Sequence, residues 1–196
     1  MQLKATLLTG RFVQLEPIDR SHFQGLEKAA RDKRIWEHTQ LGPSFEAYFD
    51  QLFAARDTGL EIPFAVRWRA TGELIGGTRY RDIVREHRRL EIGGTWYQPE
   101  YWAGPTNPEA KLLLLGHAFD QAAPNRVQLL TDVRNKRSQA AIAKLGARRE
   151  GLLRSHMVVD GGRRRDSVLF SIVREEWPDV RTRLMTRLAA FETART

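Results

Sequence analysis

Polar Gln14 and Glu16 alternate with apolar Val13 and Leu15 behind Phe12, and the pattern stops at Pro17, so the chain is predicted to open with a strand. Asp19 or Ser21 can then cap a helix that runs to about Arg31, and Pro43-Ser44 opens a second through about Arg56. From Ile62 to Arg69 a strand puts Phe64, Val66 and Trp68 on one face, and Ala70-Thr71-Gly72 turns it into a partner from Glu73 to Ile83. A further strand, Leu90 to Gln98, carries Gly93-Gly94 in its middle, where glycine marks a bulge or the close approach of a backbone or ligand.

After the turn-rich loop Pro99 to Thr106, Asn107 is read as the cap of a helix from about Pro108 to Gln121, with Pro108 in its first position. Arg126 to Val133 is a strand apolar enough to be central, and Ser138 to Leu145 is a short helix closed by Gly146. Ala147 to Val159 and Arg163 to Val173 form a long hairpin around Asp160-Gly161-Gly162, and a last helix starts near Glu175, tolerates Pro178 in its first turn and reaches Thr193. Hairpins come first and strand-helix-strand units second. The fold class expected is α/β (α+β), a mixed, mostly antiparallel sheet flanked by helices.

Composition narrows the chemistry. With 196 residues, 41% hydrophobic, and no internal repeat or linker, residues 1–196 are expected to make one domain. No apolar run approaches the roughly 18 residues of a membrane span, and Met1 to Thr9 lacks a secretory layout, so a cytoplasmic protein without membrane contact is expected. The absence of cysteine excludes disulfides and thiolate chemistry, and the five histidines show no ligand spacing, so no metal is expected. The net charge of +8 favours polyanions, either nucleic acid or a phosphorylated cofactor, but no recognition motif accompanies the arginine clusters and no nucleic-acid partner is expected.

The strand-loop-helix junction from Leu90 to Asn107 can cradle an anion, because a helix N-terminus exposes unpaired N–H groups and a partial positive charge. The run Leu90-Glu91-Ile92-Gly93-Gly94-Thr95-Trp96-Tyr97-Gln98-Pro99-Glu100-Tyr101, followed by Asn107-Pro108-Glu109-Ala110-Lys111, resembles the acyl-CoA-binding core of GNAT N-acetyltransferases. The branch it resembles most includes the ribosomal-protein N-acetyltransferases (RimJ/RimL-like). Two further blocks are similar to the family: Asn135-Lys136-Arg137-Ser138 with Lys144-Leu145-Gly146-Ala147, and Glu150 to Arg154 with Arg165-Asp166-Ser167 and Glu175-Glu176-Trp177. The resemblance covers roughly Phe12 to Trp177. The chain departs from it in the pyrophosphate loop, Trp102-Ala103-Gly104-Pro105-Thr106-Asn107, where proline replaces a glycine and removes an N–H.

The resemblance implies acetyl-CoA as co-substrate, with a backbone N–H beside Gly93-Gly94 polarising the thioester carbonyl and the pantetheine lying between this strand and Arg126 to Val133. Thr95 and Trp96 on the strand, and Trp102, Ala103, Gly104, Thr106 and Asn107 in the loop, are its expected contacts. Asn135 would hold the amide arm or serve as a plain loop cap, and Lys136 or Arg137 would reach a phosphate. Ser138 would protonate the departing thiolate or cap its helix; where other branches carry a tyrosine acid, this chain has Ile142. Glu91 is the candidate base and His156 the second, each with a structural role as the alternative.

Deprotonating a lysine side chain at pH 7 costs about 4.6 kcal/mol against about 1.1 for an α-amine, from ~1.36 kcal/mol per pKa unit. With no strong base evident, the preferred acceptor is a protein N-terminus or a small amine. Trp36, Phe45 and Tyr48 either line an acceptor pocket or complete the core. Two other readings stay open: a GNAT fold that binds coenzyme A or a protein partner without catalysis, and a homodimer.

Overall fold

The computed structural model describes residues 1–193. Eight strands form one sheet: β1 (Leu8–Thr9), β2 (Val13–Pro17), β3 (Ile62–Trp68), β4 (Leu74–Val84), β5 (Arg89–Tyr97), β6 (Arg126–Asp132), β7 (Arg148–Val159) and β8 (Arg163–Val173). Their order is β1-β2-β3-β4-β5-β6-β8-β7, and every neighbouring pair is antiparallel except β5 with β6. The sheet is thus mixed and mostly antiparallel, as the hairpin pattern predicts. Strand β1, two residues long, gives no periodic signal and was not expected.

The α-helices are α1 (Phe23–Ala29), α2 (Phe45–Asp57), α3 (Thr106–Gly116), α4 (Lys136–Ala143) and α5 (Trp177–Thr193). Asp19 caps a short 3-10 turn, Arg20–His22, ahead of α1, and Ser44 caps α2 through its side chain. Leu26, Phe49, Leu52 and Phe53 from α1 and α2 pack on one face of the sheet around Ala65 and Trp96. Leu114 and Leu115 of α3 and Val180, Leu184 and Leu188 of α5 pack on the other around Phe64, Val66 and Trp68. No described helix is long and apolar enough to cross a membrane.

Two helix starts differ from the sequence reading. Helix α3 begins at Thr106 with Pro105 as its cap residue, so Asn107 lies inside the first turn and caps nothing. Pro105 sits at φ −73°, already a helical value, and Pro108 costs nothing three residues in because the first N–H groups of a helix have no internal acceptor. Helix α4 starts at Lys136, two residues before the expected Ser138, because Asn135 is its cap: the Asn135 Oδ1 accepts from the Ser138 N–H at 2.9 Å. The helix after β5 also ends early, giving way at His117–Ala122 to a π-helical turn that Ala123 closes at φ +48°.

The feature that positions the site lies between β5 and β6. They pair only at Arg89, Leu90 and Glu91 against Arg126, Val127 and Gln128. Beyond these residues each follows its other neighbour: β5 stays with β4 as far as Gly76–Tyr97, and β6 stays with β8 as far as Asp132–Ser167. The sheet therefore splits. At the split β5 carries one extra residue, since Gly77 faces Trp96 while Arg79 faces Gly93. Gly94 takes φ +55° there, and a Cβ on it would lie 2.6 Å from the Arg79 Nε, so glycine is required twice over.

Candidate active site

The split opens a cavity of about 680 Å³ whose walls are β5 from Ile92 to Trp96 on one side and β6 from Leu129 to Asp132 on the other. The N-terminus of α3 closes one end, and charged side chains of β4, β5 and β8 line the other.

At the first end no side chain caps α3, so the N–H groups of Thr106 and Asn107 have no acceptor from the helix, with the positive end of its dipole behind them. Asn107 lines the space, Gly104 leaves it open, and the buried Thr106 Oγ1 has no hydrogen-bond partner. Ala103 is held at φ +60°, a left-handed strain of roughly 1–2 kcal/mol for a residue with a Cβ. The Arg137 guanidinium stacks 3.5 Å from the Trp102 ring centre, and Arg34 approaches the same ring at 5.9 Å, while Trp102 Nε1 is fixed on the Tyr97 carbonyl at 2.9 Å. Unpaired N–H groups and the Arg137 guanidinium fit a diphosphate, whereas the Arg34 guanidinium is held by Asp32 at 2.6 Å. Proline at the cap position loses only its own N–H, and the Pro105 carbonyl accepts from the Glu109 N–H at 3.0 Å to start the helix.

In the middle, the Thr95 Oγ1 accepts from the Lys111 Nζ at 2.6 Å and meets the Thr78 Oγ1 at 2.8 Å, tying α3 to the β5 bulge. Burial pulls the Lys111 pKa down to about 7. Across the split, the Asn135 side chain is held at the start of α4, and its NH₂ group makes no hydrogen bond to the described residues. The Ser138 hydroxyl, likewise without a partner, and Ile142 line the same wall.

At the far end Glu91 is 7% exposed, and desolvation raises its pKa above the ordinary carboxylate value, opposed by the nearby Arg81. The Arg81 Nε lies 3.8 Å from Glu91 and 3.7 Å from Glu61, and Glu61 also pairs with Arg79 at 3.3 Å. His156 reaches the cavity through a break in the β7–β8 register: Leu153 faces Ser167 and Met157 faces Arg165, so three residues oppose Asp166 alone. Ser155 takes φ +50° within this bulge and donates its N–H to Asp166 at 2.7 Å. The His156 Nδ1 meets the Ser167 Oγ at 3.0 Å, and desolvation, aided by Arg165 and Arg81, lowers its pKa, favouring the neutral ring.

The model of the acetyltransferase (GNAT) domain matches residues 13–148. The chain belongs to the GNAT acetyltransferase family. GNAT domains use acetyl-CoA as co-substrate. YoaA of Bacillus subtilis, an N-acetyltransferase by name, is 30% identical over 115 residues, which cover 56% of this chain and 63% of that protein. YdaF of the same organism, provisionally named a ribosomal N-acetyltransferase, is 29% identical over 106 residues, covering 54% of this chain and 57% of its own. The chain thus spans about three fifths of the length of these curated relatives. Among solved structures, an acetyltransferase provisionally so named from T. thermophilus superposes with a TM-score of 0.85 at 34% identity, over 96% of this chain and all of its own. The resemblance to the RimJ/RimL-like branch agrees with these relatives.

Of the residues expected in the site, the GNAT cleft brings together Glu91, Ser138, His156, Thr95, Trp102, Ala103, Asn107, Asn135 and Arg137 along its walls. Gly104 and Thr106 belong to the same α3 junction. The Trp96 side chain instead turns into the core: it is 4% exposed, donates to the Tyr48 hydroxyl at 3.0 Å and packs against Trp36. Only its backbone is placed to face a ligand on β5. Tyr48 both packs in that aromatic cluster and lines the cavity, whereas Trp36 and Phe45 complete the core. Sequence reasoning missed Glu61, Arg79 and Arg81. Alternation along β4 puts Arg79 and Arg81 on one face, but their meeting with Glu61 and Glu91 follows from the pairing of β4 with its neighbours.

Proposed function

We propose that the protein transfers the acetyl group of acetyl-CoA to a primary amine, a protein N-terminal α-amine or a small-molecule amine, by direct attack with both substrates bound. The observation that carries this reading is the split between β5 and β6, which places the uncapped start of α3, the β5 bulge and the buried Glu91 on one cavity. The first turn of α3, with Arg137 and Trp102 beside it, would hold the diphosphate. The NH₂ of Asn135 would bind the amide arm between the strands. Acetyl-CoA supplies an activated acyl carbon.

The chain's own residues do the rest. A backbone N–H at the bulge polarises the carbonyl, and the fixed geometry of Gly93 and Gly94 sets that donor before reaction. Glu91 accepts the proton that leaves the amine nitrogen as the N–C bond forms, directly or through water; its raised pKa makes it a stronger base than an exposed glutamate. His156, neutral and facing the same space, is the second candidate. Ser138 supplies the proton that the sulfur needs as the C–S bond breaks and regains one from solvent, while Glu91 releases the proton it took from the amine back to solvent. The products are an amide and a free thiol, with no net change in protons.

The test is thiol release from acetyl-CoA over a panel of peptides and small amines, with Glu91→Gln, His156→Asn and Ser138→Ala beside the unaltered protein. Amine-dependent release that Glu91→Gln abolishes supports the assignment. Binding of acetyl-CoA without transfer to any amine would favour a coenzyme A-binding module instead.

A further inference from the structure

The charged end of the cavity holds one cation more than it needs. Glu61 is shared by Arg79 and Arg81, and Glu91 stands beside Arg81. Arg165, on β8 opposite Met157, lines the same space and has no carboxylate within 4.0 Å among the described residues. Its Nε is buried and lacks a hydrogen-bond partner. Asp132, on the neighbouring β6, is committed elsewhere: it pairs with Arg163 at 2.5 Å and accepts the Arg134 N–H at 2.8 Å.

Arg165 is half-buried, and a guanidinium whose Nε is shut away from water with no acceptor is costly unless something fills it. The imbalance grows during the proposed reaction. Once Glu91 has taken the amine's proton it is neutral, and Arg79, Arg81 and Arg165 share Glu61, because the two aspartates that also line the cavity, Asp82 and Asp132, are paired with Arg89 and Arg163. Coenzyme A is poorly placed to supply the missing charge, since its diphosphate would sit at the opposite end, by Trp102 and the start of α3. The other molecule in the cleft is the acceptor.

We infer that the acceptor amine carries a carboxylate, which Arg165 holds by paired N–H donors while Glu91 takes up the amine's proton. This rests on the acetyl-transfer reading above. A guanidinium matches a carboxylate through two parallel hydrogen bonds, so the contact fixes orientation as well as charge. The carboxylate has two sources, a small amino acid's own or the acidic side chain of a peptide's first residue.

Matched pairs separate these. Peptides beginning with Asp or Asn, and free amino acids against their amides, are compared by kcat/KM at saturating acetyl-CoA with the unaltered protein, Arg165→Gln and Arg165→Lys. The carboxylated member of one pair should be preferred roughly 10- to 100-fold, the worth of one charge-assisted contact. Arg165→Gln should erase the preference, leaving the acetyl-CoA Kd unchanged, and Arg165→Lys should restore part of it. Whichever pair shows the preference names the source. Equal rates for both members, or a weaker acetyl-CoA Kd in Arg165→Gln, would overturn the inference alone. Absence of transfer to every amine would overturn the acetyl-transfer reading and this inference together.

Discussion

The two ends of the cleft are built from different materials. At the start of α3 the donors are backbone N–H groups aimed by a helix whose first residue follows a proline, and only Arg137 adds side-chain charge. At the far end the work falls to Arg79, Arg81, Glu91 and Arg165 from three strands, held by the register of β4, β5 and β8, and to Glu61 just before β3. Backbone donors tolerate most side-chain changes but not the loss of an N–H. A charge cluster behaves in the opposite way, since removing one member leaves its partners buried and unbalanced. Substitutions at the two ends should therefore fail differently, one in affinity and the other in rate.

The largest effect is expected at the charged end. Glu91→Gln should lower kcat by roughly 10²- to 10⁴-fold, the usual contribution of a positioned base, with the acetyl-CoA Kd unchanged. The pH profile sharpens this. Glu91 must be ionised to accept a proton, so kcat should fall as pH drops through its raised pKa, and that limb should vanish in Glu91→Gln. Next comes Thr106→Pro, which deletes one N–H at the first helical position and adds strain at Pro105, whose helical ψ of −13° is disfavoured before a proline. Its acetyl-CoA Kd should rise by roughly 10- to 100-fold, the cost of one hydrogen bond to a charged group, with kcat at saturation preserved.

Lys111, between the two ends, tests stability rather than activity. Its folded pKa of about 7 lies below the ordinary 10.5, so the folded state binds fewer protons than the unfolded state between these values. Stability should rise with pH across that window, with the full penalty present below about pH 7. Lys111→Met should be more stable at pH 7 by about 1–3 kcal/mol in urea unfolding and should lack the rise towards pH 10. The smallest effect is expected for Ala103→Gly, where relief of left-handed strain and added chain entropy nearly cancel, leaving a gain of at most about 1 kcal/mol in the same assay.

Much of the scaffold could be read from local signals. Ala70-Thr71-Gly72 and Asp160-Gly161-Gly162 turn between alternating runs, and both hairpins stand where those residues put them. Gly93-Gly94 inside an apolar strand announced the bulge. At the α3 start two local signals competed, and Pro105, already at a helical φ, displaced Asn107 from the cap. The charged end could not be read the same way, because it depends on register. Arg81 meets Glu91 only through the β4–β5 pairing, and His156 enters the cavity only because β7 bulges around Ser155, a non-glycine residue whose positive φ no sequence pattern suggested. The burial of Lys111 against Thr95 likewise follows from how α3 packs on the split strand.

The most direct test of the account is calorimetric titration with acetyl-CoA beside acetyl-pantetheine, which keeps the thioester and amide arm but lacks the diphosphate. If the uncapped start of α3 holds that diphosphate, acetyl-CoA binds with micromolar affinity and acetyl-pantetheine binds about a hundredfold or more weakly, from the loss of charge-assisted contacts to the helix N-terminus. Equal affinities, or no heat with acetyl-CoA at millimolar concentration, would contradict it.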